Sequence, residues 1–448
     1  MMENPRDVNL KQAGRMAIAI LMLAVVVLAG CQGQSILDMV FPQQKEALGL
    51  PQPTAITTKP TAEMQFPTPT TPAYYNLTVW IPPQFDIDAE SKAAALLKNH
   101  LQEFSKKNLQ VNLDVRVKSA SGPGSILETL TGASIVAPDA LPSLVLISRS
   151  DLVQAASKNL LSPIEGYSGV IDENDWFDIS KELGSYQGTV YCLPFAVNAF
   201  GLVYKNIGFN NGQPSWEEVI RQSDKLFFAA GDPEALTTLA LYQSAGGVLS
   251  DKADQPVLEV DALTTVLAAY ADAARFHRIP NAELDYQTDD QVWEAFLSSN
   301  KGVVLTWANH VLVDLGTMKL ALLPSLGKEP YTLAGGWMWC LTEPHEQDRI
   351  YSIALAEYLV EPEFLASWAP VSGYLPVKPS SIPGYEGIEL QNTLTKMLLS
   401  AHVRPDKIQA SEIGAEIKIA ISEVFQRLKT PEVSAINAVK RLEDMRTQ

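Results

Sequence analysis

The sequence predicts an α/β protein with a helix-rich C-terminal half, and three observations carry that expectation. Strand-like and helix-like apolar periodicities alternate from about residue 74 onward. Of the 448 residues, 46% are hydrophobic and 19% charged, which supplies enough apolar surface for packed cores. At ~150 residues per domain the length points to two or three domains rather than one undivided core.

The chain begins with an address. Arg6, Lys11 and Arg15 form a positive start, and Met16 to Gly30 is an unbroken small-apolar run. That run is shorter than the ~20 residues a helix needs to cross a hydrocarbon core, so residues 1–30 read as a cleaved signal peptide. Its end, Leu28-Ala29-Gly30-Cys31, resembles the lipobox of bacterial lipoproteins, which implies lipidation at Cys31 and a chain tethered to the outer face of a membrane. Residues 31–73 then hold the Pro/Thr-dense stretch PQPTAITTKPTAEMQFPTPTTP. Such density cannot continue a helix or a central strand. It reads either as a semi-rigid polyproline-like stalk or as a spacer of no set length.

The globular body follows. Leu77, Val79 and Ile81 alternate with Thr78 and Trp80, the period-two mark of a strand. Ala93, Leu96, Leu97, Leu101 and Phe104 then fall at helical spacing from about Ala89, and Val111, Leu113, Val115 and Val117 alternate again. This βαβ order predicts a parallel sheet. A helix bearing Ile126, Leu127 and Leu130 leads to the apolar strand Leu144–Ile147, which stops at Ser148-Arg149-Ser150, where another helix starts. Ligands of open α/β sheets bind at the carboxyl ends of strands, so the turns after Ile81 and Ile147 are candidate sites. Capping boxes at Ser215/Glu218 and Thr288/Gln291 open two later helices. Amphipathic helices are expected near 261–277, 288–299, 347–359, 387–401 and 411–428, with strands near 190–204, 302–306, 319–323 and 331–341.

Composition and motifs exclude several functions. With 34 basic and 51 acidic residues the net charge is -17, and an acidic surface repels phosphate backbones, so no nucleic-acid partner is expected. The sequence has no phosphate-cradling loop, dinucleotide fingerprint, nucleophile elbow or zincin helix. The five histidines are scattered without ligand-like spacing and read as surface or packing residues, so neither a metal nor a cofactor is expected. Asp86/Asp88 and Asp289/Asp290 could serve a glycosidase in principle, but read as solvated loop charge; no catalytic residue and no enzyme activity is expected. Export permits a disulfide between Cys192 and Cys340, yet two separate buried thiols is the expectation.

The aromatic residues say more. Trp80, Trp307, Trp337, Trp339 and Tyr374 fall at predicted strand ends or in Gly-rich turns. A sugar offers a C–H face that stacks on a ring and a hydroxyl edge that needs planar donors and acceptors. A saccharide site therefore combines such platforms with Asn, Asp, Glu or Arg, although core packing explains any single Trp equally well.

Four segments, in order, resemble a known family. They are LTVWIPPQFD; VYCLPFAVNAFGLVYKN followed by PSWEEVIRQSDKL; VWEAFLSSNKGVVLTWANHV; and AGGWMWCLTEP followed by SGYLPVKPS. From Trp80 to about Pro379 the chain is similar to the extracellular solute-binding proteins of carbohydrate ABC transporters, the maltodextrin-binding-like group. Asn198, where an acidic residue is often found, and Lys205, which replaces the usual Asn after the tyrosine, depart from that pattern.

The resemblance implies a two-lobed, type II periplasmic-binding-protein-like fold with a hinge of three crossovers, at Phe195-Ala196, Gly335-Gly336 and Gly373-Tyr374. Lobe one is expected at 74–195 plus 335–372, and lobe two at 196–334 plus 373–448. Carried onto this sequence, the ligand site comprises Trp80 as a stacking wall or cleft-floor residue, Ser148 and Arg149 as donors, Asn198 for a hydroxyl pair, Tyr242 and Trp307 lining the second lobe, and Trp337 and Tyr374 at the crossings. The expected protein is a monomeric, lipid-anchored, extracytoplasmic sugar-binding protein that delivers its solute to ABC permease subunits. The alternatives are the same fold with a polyamine, polyol phosphate, metal chelate or peptide, an exported glycan hydrolase, and a non-transport adhesin or sensor.

Overall fold

The computed structural model describes residues 74–209, 213–253, 255–279, 284–300, 302–342 and 345–446. The signal peptide, Cys31 and the Pro/Thr-rich stretch lie outside the described residues. Along the body run β1 (Tyr75–Ile81), α1 (Lys92–Lys107), β2 (Val111–Val117), α2 (Ile126–Val136), β3 (Leu144–Ser148), α3 (Arg149–Ser157), α4 (Asp178–Leu183) and β4 (Cys192–Lys205). Next come α5 (Trp216–Gln222), β5 (Leu226–Phe227), α6 (Leu236–Ser244), α7 (Val260–Arg275), α8 (Asp289–Leu297), β6 (Gly302–Trp307), α9 (Asn309–Leu312) and β7 (Lys319–Leu322). The chain ends with β8 (Thr332–Leu341), α10 (Arg349–Tyr358), α11 (Pro362–Ser372), α12 (Ile388–Leu399), β9 (Ala401–Val403), α13 (Lys407–Phe425) and α14 (Pro431–Arg446).

The strand order is β2-β1-β3-β8-β4-β6-β5, with β9 on β8 and β7 on β4. The three strands of the βαβ reading are parallel. The remainder is mixed, because β8 runs antiparallel to both β3 and β4. Serine side chains start several helices: Ser91 Oγ accepts from the Ala94 N–H at 3.0 Å, and Ser215 Oγ from the Glu218 N–H at 3.1 Å.

β4 is long because it serves two neighbourhoods. Its first residues pair with β8, and Phe200 to Lys205 pair with β6. The register slips midway: Trp337 faces Ala196 and Met338 faces Pro194, so Phe195 is one extra residue on β4. Such a bulge suits Pro194, which has no N–H to give a regular ladder. A third segment joins here, where the Leu375 N–H donates to Val197 O at 2.8 Å. Just before it, Gly373 takes a φ of +81°, a conformation that disfavours any side chain.

Two hydrophobic cores follow from strand alternation. Val203 and Val304 point into a core continuous with β1, β3, α11 and the start of β4. Leu202, Tyr204, Val303 and Leu305 point the opposite way, onto α5, α6, α7, α13 and α14.

One expectation is overturned in this sheet. Cys192 and Cys340 form a disulfide rather than two thiols, with Cα atoms 4.3 Å apart. They are directly opposed across β4 and β8, and a close antiparallel pair has about that separation, ~4.5 Å. That register depends on the bulge, which the residue pattern does not reveal.

Candidate functional site

Where β4 and β8 run side by side, a cleft of about 400 Å³ opens. Ser148, Arg149, Asn198, Trp307, Trp337 and Tyr374 all line it, six of the eight residues expected to do so. The two missing ones belong to the cores. Trp80 is only 3% exposed, because β1 lies between two parallel neighbours and is covered on both faces, with the Lys118 ammonium 4.9 Å from its ring. Tyr242 is fully buried; its hydroxyl donates to Val248 O and accepts from the Glu259 N–H, each at 2.8 Å. Trp339, another aromatic at a predicted strand end, is also fully buried and packs 5.3 Å from Phe195.

The aromatic walls are held by their own neighbours. Trp307 ends β6 and lies at 4.1 Å and 28° over Phe200, its register partner on β4. Trp337 meets Phe85 edge-on at 5.5 Å, and Tyr374 stacks on the same Phe85 at 5.5 Å. Burial pushes the Tyr374 phenol up to about 12, with hydrogen bonding from Trp337 pulling the other way. Trp307, Trp337 and Tyr374 are all partly exposed, as ligand platforms must be.

Several polar groups of the cleft are already occupied. Ser148 caps α3, accepting from the Asp151 N–H at 3.2 Å and donating to Asp151 Oδ2 at 2.9 Å. The Arg149 guanidinium donates to the Leu183 and Ser185 carbonyls. Asn198 Oδ1 accepts from the Ala199 and Asn309 N–H groups, while its amide donates to Asn309 Oδ1 at 2.8 Å. These bonds tie β4 to the start of α9 and leave Asn198 one free N–H.

The structure adds residues that sequence reading missed. Asp289, Asp290, Asn309, His310, Arg404 and the pair Gly335-Gly336 also line the cleft. Asp289 is therefore not solvated loop charge, since it opens α8 with a buried carboxyl, whereas Asp290 beside it stays 89% exposed. Burial pushes the Asp289 carboxyl up to about 7, helped by repulsion from Asp232 and Asp290 and opposed by hydrogen bonding from Trp307 and Thr306. Its Oδ1 is buried without a hydrogen-bond partner. His310 bridges Thr306 Oγ1 at 2.8 Å and Asp290 Oδ1 at 3.0 Å, its ring stacked on Trp293. Arg404 is paired with Glu234. Among the described residues no group of three or more His, Cys, Asp or Glu is placed to hold a metal ion.

Gly336 lets two backbones meet on the cleft floor. A Cβ there would stand 2.5 Å from Ala196 O and 3.3 Å from Leu183 Cδ1. Gly336→Ala is expected to cost roughly 1–3 kcal/mol through overpacking, seen as a thermal midpoint several degrees lower. An unchanged midpoint would show that the strands can separate freely.

The model of a family described as bacterial extracellular solute-binding protein matches residues 100–392. A comparison with curated proteins finds no match. Among solved structures, the sugar-binding protein MalE from Xanthomonas citri is similar at 18% identity and a TM-score of 0.67, over 82% of this chain and 96% of that one. MalE from Listeria monocytogenes in complex with maltose is 15% identical at a TM-score of 0.65, covering 83% and 98%. Maltose-bound MalE3 of T. maritima is 15% identical at 0.61, covering 83% and 99%. At such identities the likeness is one of fold, the two-lobed α/β arrangement of periplasmic binding proteins. With the family model spanning well over half the sequence, the chain belongs to the bacterial extracellular solute-binding proteins, which capture a solute without transforming it.

Proposed function

We propose that this protein is a lipid-anchored extracytoplasmic receptor that captures a sugar or short oligosaccharide and delivers it to an ABC importer. The observation that carries the carbohydrate reading is the set of partly exposed aromatics, Trp307, Trp337 and Tyr374, around one polar cleft. Both guanidiniums in that cleft already donate to protein acceptors, with Arg404 Nε left over, and the acidic Asp289 and Asp290 in the same lining disfavour a polyol phosphate. A volume of about 400 Å³ lies at the low end of the ~300–1,000 Å³ usual for small-molecule sites, which suits one or two sugar rings. MalE from L. monocytogenes and MalE3 of T. maritima, which share this fold, were solved with maltose.

In this reading lobe one is 74–195 plus 335–372 and lobe two is 196–334 plus 373–448, with the cleft between them. Closure round the solute is the signal a permease detects, and shifting the open–closed balance from 1:99 to 99:1 takes ~5.5 kcal/mol of differential affinity. The lipobox ending at Cys31 supports the anchor, and no described helix is long and apolar enough to cross a membrane.

A panel of mono- and oligosaccharides, including maltose, tests the reading by thermal shift and solution scattering. The right sugar gives saturable stabilisation, about 2.7 kcal/mol at a hundredfold excess over Kd, with a smaller radius of gyration and no product. Absence of any response across the panel, or release of a cleaved glycan, would overturn it.

A further inference from the structure

We infer that Asp289 is a specificity-determining residue of this cleft: its buried, unpartnered Oδ1 accepts a hydrogen bond from a ligand hydroxyl beside Trp307. The inference rests on the sugar-binding reading and names what the ligand must bring.

The polar groups of the cleft do not make equal demands. Arg149 already donates to two backbone carbonyls, Arg404 to Glu234, and Ser148 to Asp151. Asn198 Oδ1 already accepts two backbone N–H groups. Asp289 Oδ1 is a buried acceptor without a donor, as Arg404 Nε is a buried donor without an acceptor. An unpaired buried acceptor costs about 1–3 kcal/mol, and a ligand hydroxyl removes that cost only in the bound state. The site therefore selects for a donor. An analogue lacking the hydroxyl leaves Oδ1 unpaired and is rejected, as sites built around one hydrogen bond reject substrates that lack it.

The surroundings of Asp289 couple this contact to pH. Asp232, from the segment after β5, and Asp290, its neighbour on α8, both repel its charge. From α9, His310 reaches Asp290 and Thr306, and after β9 Arg404 is neutralised by Glu234. Arg404 Nε is left buried without a partner, yet burial and the two neighbouring carboxylates push the free Asp289 carboxyl up to about 7. A hydroxyl donating to Oδ1 favours the ionised form, so binding expels a proton below that value. The sign follows: affinity rises as pH rises, by at most about tenfold between pH 6 and pH 8.

Calorimetry with a saccharide that the wild type binds, run at pH 6 and pH 8 in two buffers of different ionisation heat, tests this. Expected are proton release at pH 6, none at pH 8, and tighter binding at pH 8. Asp289→Asn, with its fold checked by circular dichroism, should bind about tenfold more weakly at pH 8 and lose the pH dependence. Wild-type binding that is flat with pH and releases no proton overturns the role of Asp289 while leaving the sugar reading intact. Failure of every saccharide at both pH values overturns the sugar reading, and this inference with it.

Discussion

Alanine at Trp307 is expected to weaken binding of the proposed sugar by about thirtyfold, some 2 kcal/mol, the scale of a tryptophan anchor in a desolvated pocket. The argument is one of preorganisation. The indole ends β6, leans on Phe200 at 4.1 Å and keeps part of its face open to the cleft. Its orientation is thus fixed before a ligand arrives, and stacking does not have to offset the ordering of a loose side chain. Trp307→Phe should recover much of the affinity because a ring face survives. The thermal midpoint of the free protein should fall little beside the binding loss, since Phe200 remains to cover the core. Titration by intrinsic fluorescence or calorimetry checks this, and an unchanged Kd for Trp307→Ala would remove the stacking role.

The second large effect is on stability. Replacing Cys192 and Cys340 together by alanine should cost about 2–5 kcal/mol, in line with loss of a native disulfide that closes a long loop. The bond spans 148 residues of sequence, so its absence restores much freedom to the unfolded chain. Both cysteines are fully buried, so reductant should act only on the unfolded protein, and the variant's lower denaturation midpoint should match that of protein expressed in a reducing cytosol. Equal midpoints for variant and parent in chemical denaturation would mean that the bond contributes nothing.

Much of this architecture is legible in local patterns because it rests on local physics. The alternation at Leu77–Ile81 and Val111–Val117, and the apolar run at Leu144–Ile147, become β1, β2 and β3. Trp307 ends β6, Trp337 and Asn198 lie along the paired stretch of β8 and β4, and Tyr374 adjoins Leu375, which bonds to Val197, so the four converge. Convergence across the chain is harder to foresee. Trp80 looks like a strand-end platform until a neighbour on each side covers it, and Tyr242 looks like a lining residue until its hydroxyl finds Val248 and Glu259. Asp289 carried a signal, the adjacent Thr288–Gln291 capping box, which fixes where a helix starts but not which way its first turn faces. Arg404 carried none, since its partner lies 170 residues away, and His310 little, since Asp290 lies 20 residues away and only Thr306 is near.

The disulfide lies close to the bulge at Phe195, and under the proposed hinge reading that proximity would set where the two lobes pivot. A covalent rivet near one end of a two-strand ribbon prevents the strands from sliding past each other there. Torsion entering the ribbon from the far side must then be absorbed between the rivet and the glycine pair, within a span of only a few residues. Such a short swivel would convert a small contact at the cleft into a large angular sweep at the tips of the molecule, as a door fixed at its jamb moves most at the handle.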